Sequence, residues 1–176
     1  MRKHLHIILT VAVMAAALFA WQQGCGSHYP LEGEAAPPFT LPLLEDGEVS
    51  LAQHKGEEVV VLDFWASWCG PCRVGMPIVD AVAAQFAGEP AAFYAVNLRE
   101  NEAQVRTFLE DNGIENLGIA LDKDGNVAQQ YGVTSIPTTL VIDKQGVVRA
   151  SHIGYSGSLK SDIAAAVRQL LDKKEQ

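Results

Sequence analysis

Cysteine and positive charge are both scarce in this chain. Three of its 176 residues are cysteines, and 13 lysines and arginines stand against 21 aspartates and glutamates, for a net charge of -8. A chain this acidic does not present the basic surface that nucleic acids or anionic membranes require. Internal repeats and low-complexity segments are absent as well. The length and the 48% hydrophobic content predict one ordinary globular domain.

The amino terminus lacks acidic residues and combines a short basic start with an apolar run. Arg2 and Lys3 precede a run over residues 5–21 that only two polar side chains interrupt. This arrangement is typical of an export signal. The run is close to the shortest that can span a bilayer, so residues 1–24 are predicted to be a signal peptide or an uncleaved membrane anchor. A buried amino-terminal helix is disfavoured because no polar face recurs along the run.

Cys25 directly follows that segment, at the place where a lipid-modified cysteine follows a bacterial lipoprotein signal. Gly24 suits such a site, whereas Gln22 replaces the leucine that those signals usually have. Lipidation of Cys25 is therefore predicted beside two alternatives, cleavage after Ala20 and a retained anchor. All three outcomes place the domain outside the cytoplasm, on the periplasmic side of the cell envelope.

The rest of the chain divides into a linker and one domain. Residues 25–38 have no periodicity and are rich in glycine and proline, which predicts a flexible tether before a domain at 39–176. Strand and helix patterns then alternate, and a hairpin and a helix close the chain, which predicts an α/β sandwich with a mixed sheet. The predicted elements are a hairpin around Asp46-Gly47, a buried strand at 58–66, a helix at 70–87, a strand at 91–98, a helix opened by Asn101 with Gln104 and ended by Gly113, a strand at 117–122, a short helix at 126–132, a hairpin turning at 144–145 and a helix at 158–173.

Two of the three cysteines lie three positions apart in WASWCGPCR, residues 65–73. Cys69 falls just after the buried strand, at the predicted start of a helix, and Cys72 is one turn along. Side chains at this spacing share a helix face, so the two sulfurs can bond. The unpaired N–H groups and partial positive charge of a helix start favour a thiolate, which makes Cys69 the expected nucleophile.

Inert buried thiols and half of a zinc site are the alternatives to a redox pair. A zinc site with four ligands needs a second pair of cysteines or histidines. After the signal, the chain offers only His28, His54 and His152, and none of them is paired at ligand spacing. The redox interpretation is therefore preferred, with no metal ion and no organic cofactor.

Three motifs together closely resemble the thioredoxin superfamily: WCGPCR at 68–73, VVVLDFWA at 59–66 and IPTTLVID at 136–143. The flanking sequence is similar to the TlpA/ResA-like branch of envelope-tethered thiol:disulfide oxidoreductases, over residues 35–172. This resemblance implies a three-layer α/β sandwich with a mixed central sheet, helices on both faces, an amino-terminal hairpin and a central helical insert.

The resemblance also implies a second loop at the site. The Ile136–Pro137 peptide is expected to be cis and to lie against the disulfide, where Ile136 backbone groups can pair with an incoming peptide strand. Trp68, Ile136 and Pro137 are then expected to form the apolar surface on which substrate docks. The alternative for Pro137 is a plain proline at the start of a strand.

Asp63 interrupts an otherwise apolar strand, where an unpaired carboxylate is costly. By resemblance it matches the buried aspartate of thioredoxins, whereas the glutamate usual in the TlpA/ResA-like branch is replaced by Gly75. We expect Asp63 to carry the proton of Cys72, with a pKa raised by burial. The alternative is an aspartate bonded to a neighbouring backbone N–H.

The predicted activity is disulfide reduction in the cell envelope, since Gly70-Pro71 matches the dipeptide of reducing thioredoxins. By resemblance, the substrates would be proteins such as apocytochrome c, the electrons would come from a membrane thiol reductase, and the chain would act as a monomer. A thiol peroxidase is an alternative, although Ser67-Trp68 precede Cys69 where such enzymes have threonine two residues before their cysteine. A copper-binding assembly factor, with His152 as third ligand, is another.

Overall fold

The computed structural model describes residues 29–173, and within them the chain forms seven strands and five helices. The strands are β1 (Thr40–Pro42), β2 (Glu48–Ser50), β3 (Val59–Trp65), β4 (Ala91–Leu98), β5 (Gly118–Asp122), β6 (Thr138–Ile142) and β7 (Val148–Ile153). The helices are α1 (Leu51–His54), α2 (Gly70–Gln85), α3 (Glu102–Asn112), α4 (Asn126–Gln130) and α5 (Leu159–Asp172).

A five-stranded mixed sheet forms the middle of the domain, in the order β5-β4-β3-β6-β7. The strands β3, β4 and β5 are parallel, whereas β6 runs antiparallel to both β3 and β7. Every residue of the central strand β3 is buried, as expected for an apolar strand covered on both faces. The predicted mixed sheet is confirmed, and β1 and β2 form the predicted amino-terminal hairpin.

Layers of helix cover both faces of this sheet. Because side chains alternate along a strand, β3 contributes to two separate cores. Val61 and Trp65 face one side, which α2, α3 and α5 cover. Leu62 and Phe64 face the other side, which α4 and the β1–β2 hairpin cover. This three-layer arrangement, with α3 inserted between β4 and β5, is the predicted thioredoxin-like sandwich.

The inserted helix α3 begins and ends where the sequence predicts. Asn101 accepts a hydrogen bond from the Gln104 N–H at 3.0 Å, and the Gln104 side chain accepts one from the Asn101 N–H at 3.3 Å. This reciprocal capping satisfies two N–H groups that have no partner inside the helix. Gly113 ends the helix in the left-handed conformation, at φ 62°, which glycine adopts without a steric penalty.

The structure differs from the prediction of a flexible tether in the part of that segment that it describes. Tyr29 is 4% exposed and packs into the core under α4, and its hydroxyl donates to the Tyr131 carbonyl. The Ala36 N–H donates to the Gly146 carbonyl at 2.9 Å, which fastens the segment to the β6–β7 turn. The packed domain therefore includes Tyr29 and does not start at Phe39. The composition of this segment is typical of a linker, but the burial of the Tyr29 side chain attaches the segment to the domain.

The signal or anchor at 1–24 and the lipid site at Cys25 lie outside the described residues. Within residues 29–173, none of the helices combines the length and the apolar character that crossing a bilayer would require.

Candidate active site

Cys69 and Cys72 are joined by a disulfide at the start of α2, with their Cα atoms 5.2 Å apart. Cys69 is the residue that caps the helix, and Pro71 occupies the first turn, where its missing N–H leaves no bond unmade. The Cys72 backbone N–H donates to Cys69 Sγ at 3.2 Å. A sulfur that accepts a hydrogen bond at a helix start is stabilised as a thiolate, so the geometry favours Cys69 as the attacking atom.

The loop before β6 lies against this disulfide. The Ile136–Pro137 peptide bond is cis, as predicted. The Ile136 carbonyl oxygen is 3.6 Å from Cys69 Sγ, so a molecule that reaches the sulfur also meets the backbone of this loop. Pro137 is buried and Ile136 is half-buried. The structure thus brings Cys69 together with Ile136, the residue that the cis bond joins to Pro137.

Trp68 protrudes next to the sulfurs, with 73% of its surface exposed. Together with Ile136 it lines a groove of about 710 Å³, whose other walls include Leu98, Arg99 and Val133. An exposed tryptophan is unusual in a soluble domain, and exposed apolar surface often marks a site of interaction. The position of Trp68 is consistent with its expected role in substrate docking.

Asp63 lies in the middle of β3 with 2% of its surface exposed. It shares a strand face with Trp65, and that face is covered by α2, the helix that carries Cys72. The Thr139 hydroxyl donates to Asp63 Oδ1 at 2.8 Å, so its hydrogen-bond partner is a side chain and not the neighbouring backbone N–H considered above. Burial raises the pKa of Asp63 to about 7, and the bond from Thr139 lowers it in part.

Gly75 occupies the α2 position where the TlpA/ResA-like branch usually has glutamate. It is buried, and a Cβ atom there would lie 3.5 Å from Leu159 at the start of α5. This distance is an ordinary van der Waals contact, so the packing of α2 against α5 does not itself require glycine here. No glutamate side chain at this position therefore accompanies Asp63.

Glu100 is a second buried carboxylate of the site, and sequence reasoning missed it. It follows the carboxyl end of β4, has 8% of its surface exposed, and accepts hydrogen bonds from the Ser67 N–H and from Asn97 Nδ2, each at 2.7 Å. The Ser67 hydroxyl donates to its other oxygen. Because Ser67 begins the loop that carries Cys69, Glu100 holds that loop to the end of β4.

The position of Glu100 in the sequence does indicate its place beside this loop. Parallel strands end at the same edge of a sheet, and β3 and β4 are predicted as consecutive buried strands. An acidic residue just after the second strand therefore lies close to the loop that follows the first.

His152, the third ligand in the copper-binding alternative, lies on β7 and pairs in register with Thr139. Its Nε2 atom is 3.1 Å from the Ser156 hydroxyl, and its Nδ1 atom is 3.6 Å from an Asp162 carboxylate oxygen. Across residues 29–173, no three histidine, cysteine, aspartate or glutamate side chains are grouped so as to hold a metal ion. The cysteine pair and His152 are therefore not brought together as a ligand set.

Comparison with known proteins finds the same architecture and chemistry elsewhere. The model of the AhpC/TSA family matches residues 33–151. The thioredoxin-like protein YneN of Bacillus subtilis is 38% identical over 126 residues, which are 70% of this chain and 72% of that protein. The thiol-disulfide oxidoreductase ResA of Bacillus cereus is 31% identical over 144 residues, which are 81% of this chain and 82% of ResA.

Solved structures give a consistent result. A Chlorobium tepidum protein provisionally assigned as the thiol:disulfide interchange protein DsbE is 35% identical, with a TM-score of 0.73 over 80% of this chain and 97% of its own. StoA from Bacillus subtilis is 24% identical, with a TM-score of 0.64 over 74% of this chain and 96% of its own, and at that identity it supports the fold alone.

Proposed function

We propose that this chain, which belongs to the AhpC/TSA family, is a protein-disulfide reductase of the cell envelope with Cys69 and Cys72 as its redox pair. Thiol:disulfide oxidoreductase chemistry follows from its relatives and its fold. The observation that carries the proposal is the Cys69–Cys72 disulfide at the start of α2, with Cys69 Sγ beside the Ile136 carbonyl.

The first step is the attack of Cys69 on a substrate disulfide. In the disulfide form the Cys72 N–H donates to Cys69 Sγ at 3.2 Å, and in the reduced protein the same N–H stabilises the attacking Cys69 thiolate, beside the groove lined by Trp68 and Ile136. A new S–S bond forms between Cys69 and one substrate sulfur as the substrate disulfide breaks. The second substrate sulfur leaves as a thiolate, and the product of this step is a mixed disulfide.

The second step releases the reduced substrate. Asp63, in its ionised form, takes the proton of Cys72, and the resulting thiolate attacks Cys69 Sγ. The mixed disulfide breaks, the Cys69–Cys72 disulfide forms, and two electrons have passed to the substrate. A carboxyl whose pKa is raised to about 7 suits this exchange, because it can both accept and return a proton near neutral pH.

We further propose the direction of electron transfer and the partners of the protein. Gly70-Pro71 between the cysteines favours net reduction, of apocytochrome c or another envelope protein that carries cysteines. A membrane thiol reductase supplies electrons, since the envelope is oxidising. The export signal at 1–24 and the tether at Cys25 keep the domain in the envelope. Both cysteines and Asp63 belong to one chain, so a monomer is sufficient for the reaction.

Insulin reduction by the full-length protein tests the activity. We expect turnover by the native protein and by Cys25→Ala, the matched control that removes a cysteine outside the pair, and loss of turnover in Cys69→Ser and Cys72→Ser. Cys72→Ser should accumulate mixed disulfide because it retains the attacking sulfur. Undiminished turnover in Cys69→Ser would contradict the proposal, and peroxide consumption without insulin reduction would favour the peroxidase alternative.

The reduction potential of the pair tests the direction. We expect a value near that of thioredoxin, at about -270 mV, rather than near the strong oxidant DsbA, at about -120 mV. A measurement at the upper end would reassign the protein as a donor of disulfides.

A further inference from the structure

We propose that the groove beside Trp68 selects substrates with an acidic side chain close to their reactive cysteine, and that Arg99 binds this side chain. The inference rests on the proposed function, since the groove takes substrate only if Cys69 is the attacking atom. It adds a determinant of specificity that the redox chemistry itself does not require.

Arg99 is held in an unusual conformation at the end of β4. Its φ is 58°, and within residues 29–173 it is the one residue other than glycine with a positive φ. A residue with a Cβ atom is strained in this region, and such strain tends to be found at functional sites. Glycine would occupy the position without strain, so the arginine side chain itself is the feature that needs an explanation.

The arginine side chain is fixed in place by the turn after β5. Arg99 Nε donates to the Asp124 carbonyl at 3.2 Å. The side chain also lies against Gly125, where an added Cβ atom would approach Arg99 Nε to 2.4 Å. Because Gly125 leaves this room, the guanidinium is positioned before any ligand arrives, which lowers the conformational entropy that binding would cost.

The guanidinium has unused capacity for an anion. Arg99 is exposed, and it forms no ion pair with any residue that the structure describes. Its Nη atoms donate no hydrogen bond within the same part of the chain, since the bond to Asp124 uses Nε. Two Nη groups in a planar fork match the two oxygens of a carboxylate.

Arg99 supplies the charge of a groove that is otherwise neutral. The remaining lining residues, which include Leu98, Val133 and Ile136, are apolar or uncharged. Ile136 places one end of the groove 3.6 Å from the reactive sulfur through its carbonyl oxygen. When the cysteine of a substrate polypeptide reaches Cys69, the residues next to that cysteine therefore lie in the groove, toward Arg99. Charge complementarity favours aspartate or glutamate among these residues.

The test uses the full-length protein and three disulfide-linked peptides as substrates. The peptides differ in one residue next to a cysteine, which is Glu, Gln or Lys. We expect kcat/KM for the Glu peptide to exceed that for the Gln peptide by about two- to fivefold, the range of a solvent-accessible ion pair. The Lys peptide should be slower than the Gln peptide. The preference should shrink as the ionic strength rises, because salt screens an exposed pair.

Two substitutions at Arg99 and one control variant test whether Arg99 causes the preference for the Glu peptide. Arg99→Asn and Arg99→Gly remove the charge with residues that tolerate a positive φ, and each should bring the Glu-to-Gln ratio close to one. Lys123→Gln removes a nearby positive charge that pairs with Glu102 outside the groove, and it should keep the native ratio. A ratio of one in the native protein, or a ratio that survives in both Arg99 variants, would overturn the inference.

The peptide assays distinguish a failure of the role of Arg99 from a failure of the reductase assignment. If the native protein reduces the Gln peptide but shows no preference, the reductase assignment stands and the role of Arg99 is rejected. If it reduces none of the three peptides, the reductase assignment itself is rejected, and the assignment of Arg99 with it.

Discussion

The Thr139 hydroxyl donates a hydrogen bond to the Asp63 carboxylate at 2.8 Å, between residues that are directly paired across β3 and β6. The pair joins the strand before the cysteines to the strand after the Ile136–Pro137 loop. Because burial disfavours the ionised carboxylate and the hydroxyl favours it, these opposing effects set the pKa of Asp63.

Asp63→Asn is expected to stabilise the folded protein at neutral pH. The folded pKa of about 7 exceeds the ordinary value of 3.8, so between these values the unfolded chain loses a proton that the folded chain retains. The native state is therefore penalised as the pH rises, by on the order of 1 kcal/mol for each pH unit in that interval. The gain from Asp63→Asn should be absent near pH 4, grow toward pH 7 and stay level above it, as measured by urea unfolding at a series of pH values.

The same substitution should slow the release of substrate. Without a base for Cys72, mixed disulfides should persist at neutral pH, and the rate should recover at higher pH as Cys72 loses its proton to solvent. If Asp63→Asn instead unfolds the protein while the folded fraction keeps its native rate, Asp63 is structural and water must carry the proton.

Thr139→Val should raise the pKa of Asp63 further, because the lost hydrogen bond stabilises the ionised carboxylate. Carbon-13 NMR titration of the Asp63 carboxyl measures this directly. Thr138→Val is the matched control, since Thr138 is equally buried but its hydroxyl donates to the Ser135 carbonyl. An upward change of similar size in both variants would show that the hydrogen bond to Asp63 is not its cause.

Glu100→Gln and Glu100→Ala should separate the charge of Glu100 from its hydrogen bonds. Glutamine can still accept the N–H groups of Ser67 and Asn97, so the fold should survive, whereas alanine leaves both without a partner at a cost of about 1–3 kcal/mol each. Removing a negative charge near Cys69 favours its thiolate, which should raise the reduction potential in Glu100→Gln. An unchanged potential in Glu100→Gln would limit Glu100 to a structural role.

Features that depend on residues close together in the sequence could be predicted from the sequence. The capping of α3 by Asn101 and Gly113 and the placement of Cys69 at a helix start depend on residues within a few positions of one another. The contact of Glu100 with Ser67 spans 33 positions and depends on the parallel pairing of β3 and β4. Arg99 gives no local sign of its positive φ, because arginine is not a residue that favours that region.

Cys25→Ala tests the proposed tethering of the protein to the cell envelope. If Cys25 is lipidated, the variant should either move to the soluble envelope fraction or keep its signal uncleaved, as fractionation and intact mass will show. Native protein with a mass that starts at Trp21 would rule out lipidation in favour of ordinary signal cleavage. A native mass that includes Met1 would instead identify a retained anchor.

Tyr29→Ala and Tyr29→Phe test whether the segment from 29 to 38 belongs to the domain. Tyr29 is 4% exposed within the core under α4, so alanine should destabilise the fold by about 3–5 kcal/mol through lost burial and an unfilled space. Phenylalanine keeps the ring and loses only the hydrogen bond to the Tyr131 carbonyl, which should cost about 0.5–1.5 kcal/mol. Urea unfolding of the three proteins measures both differences. A flexible tether would place Tyr29 in solvent in the folded state, and neither substitution would then change the free energy of unfolding.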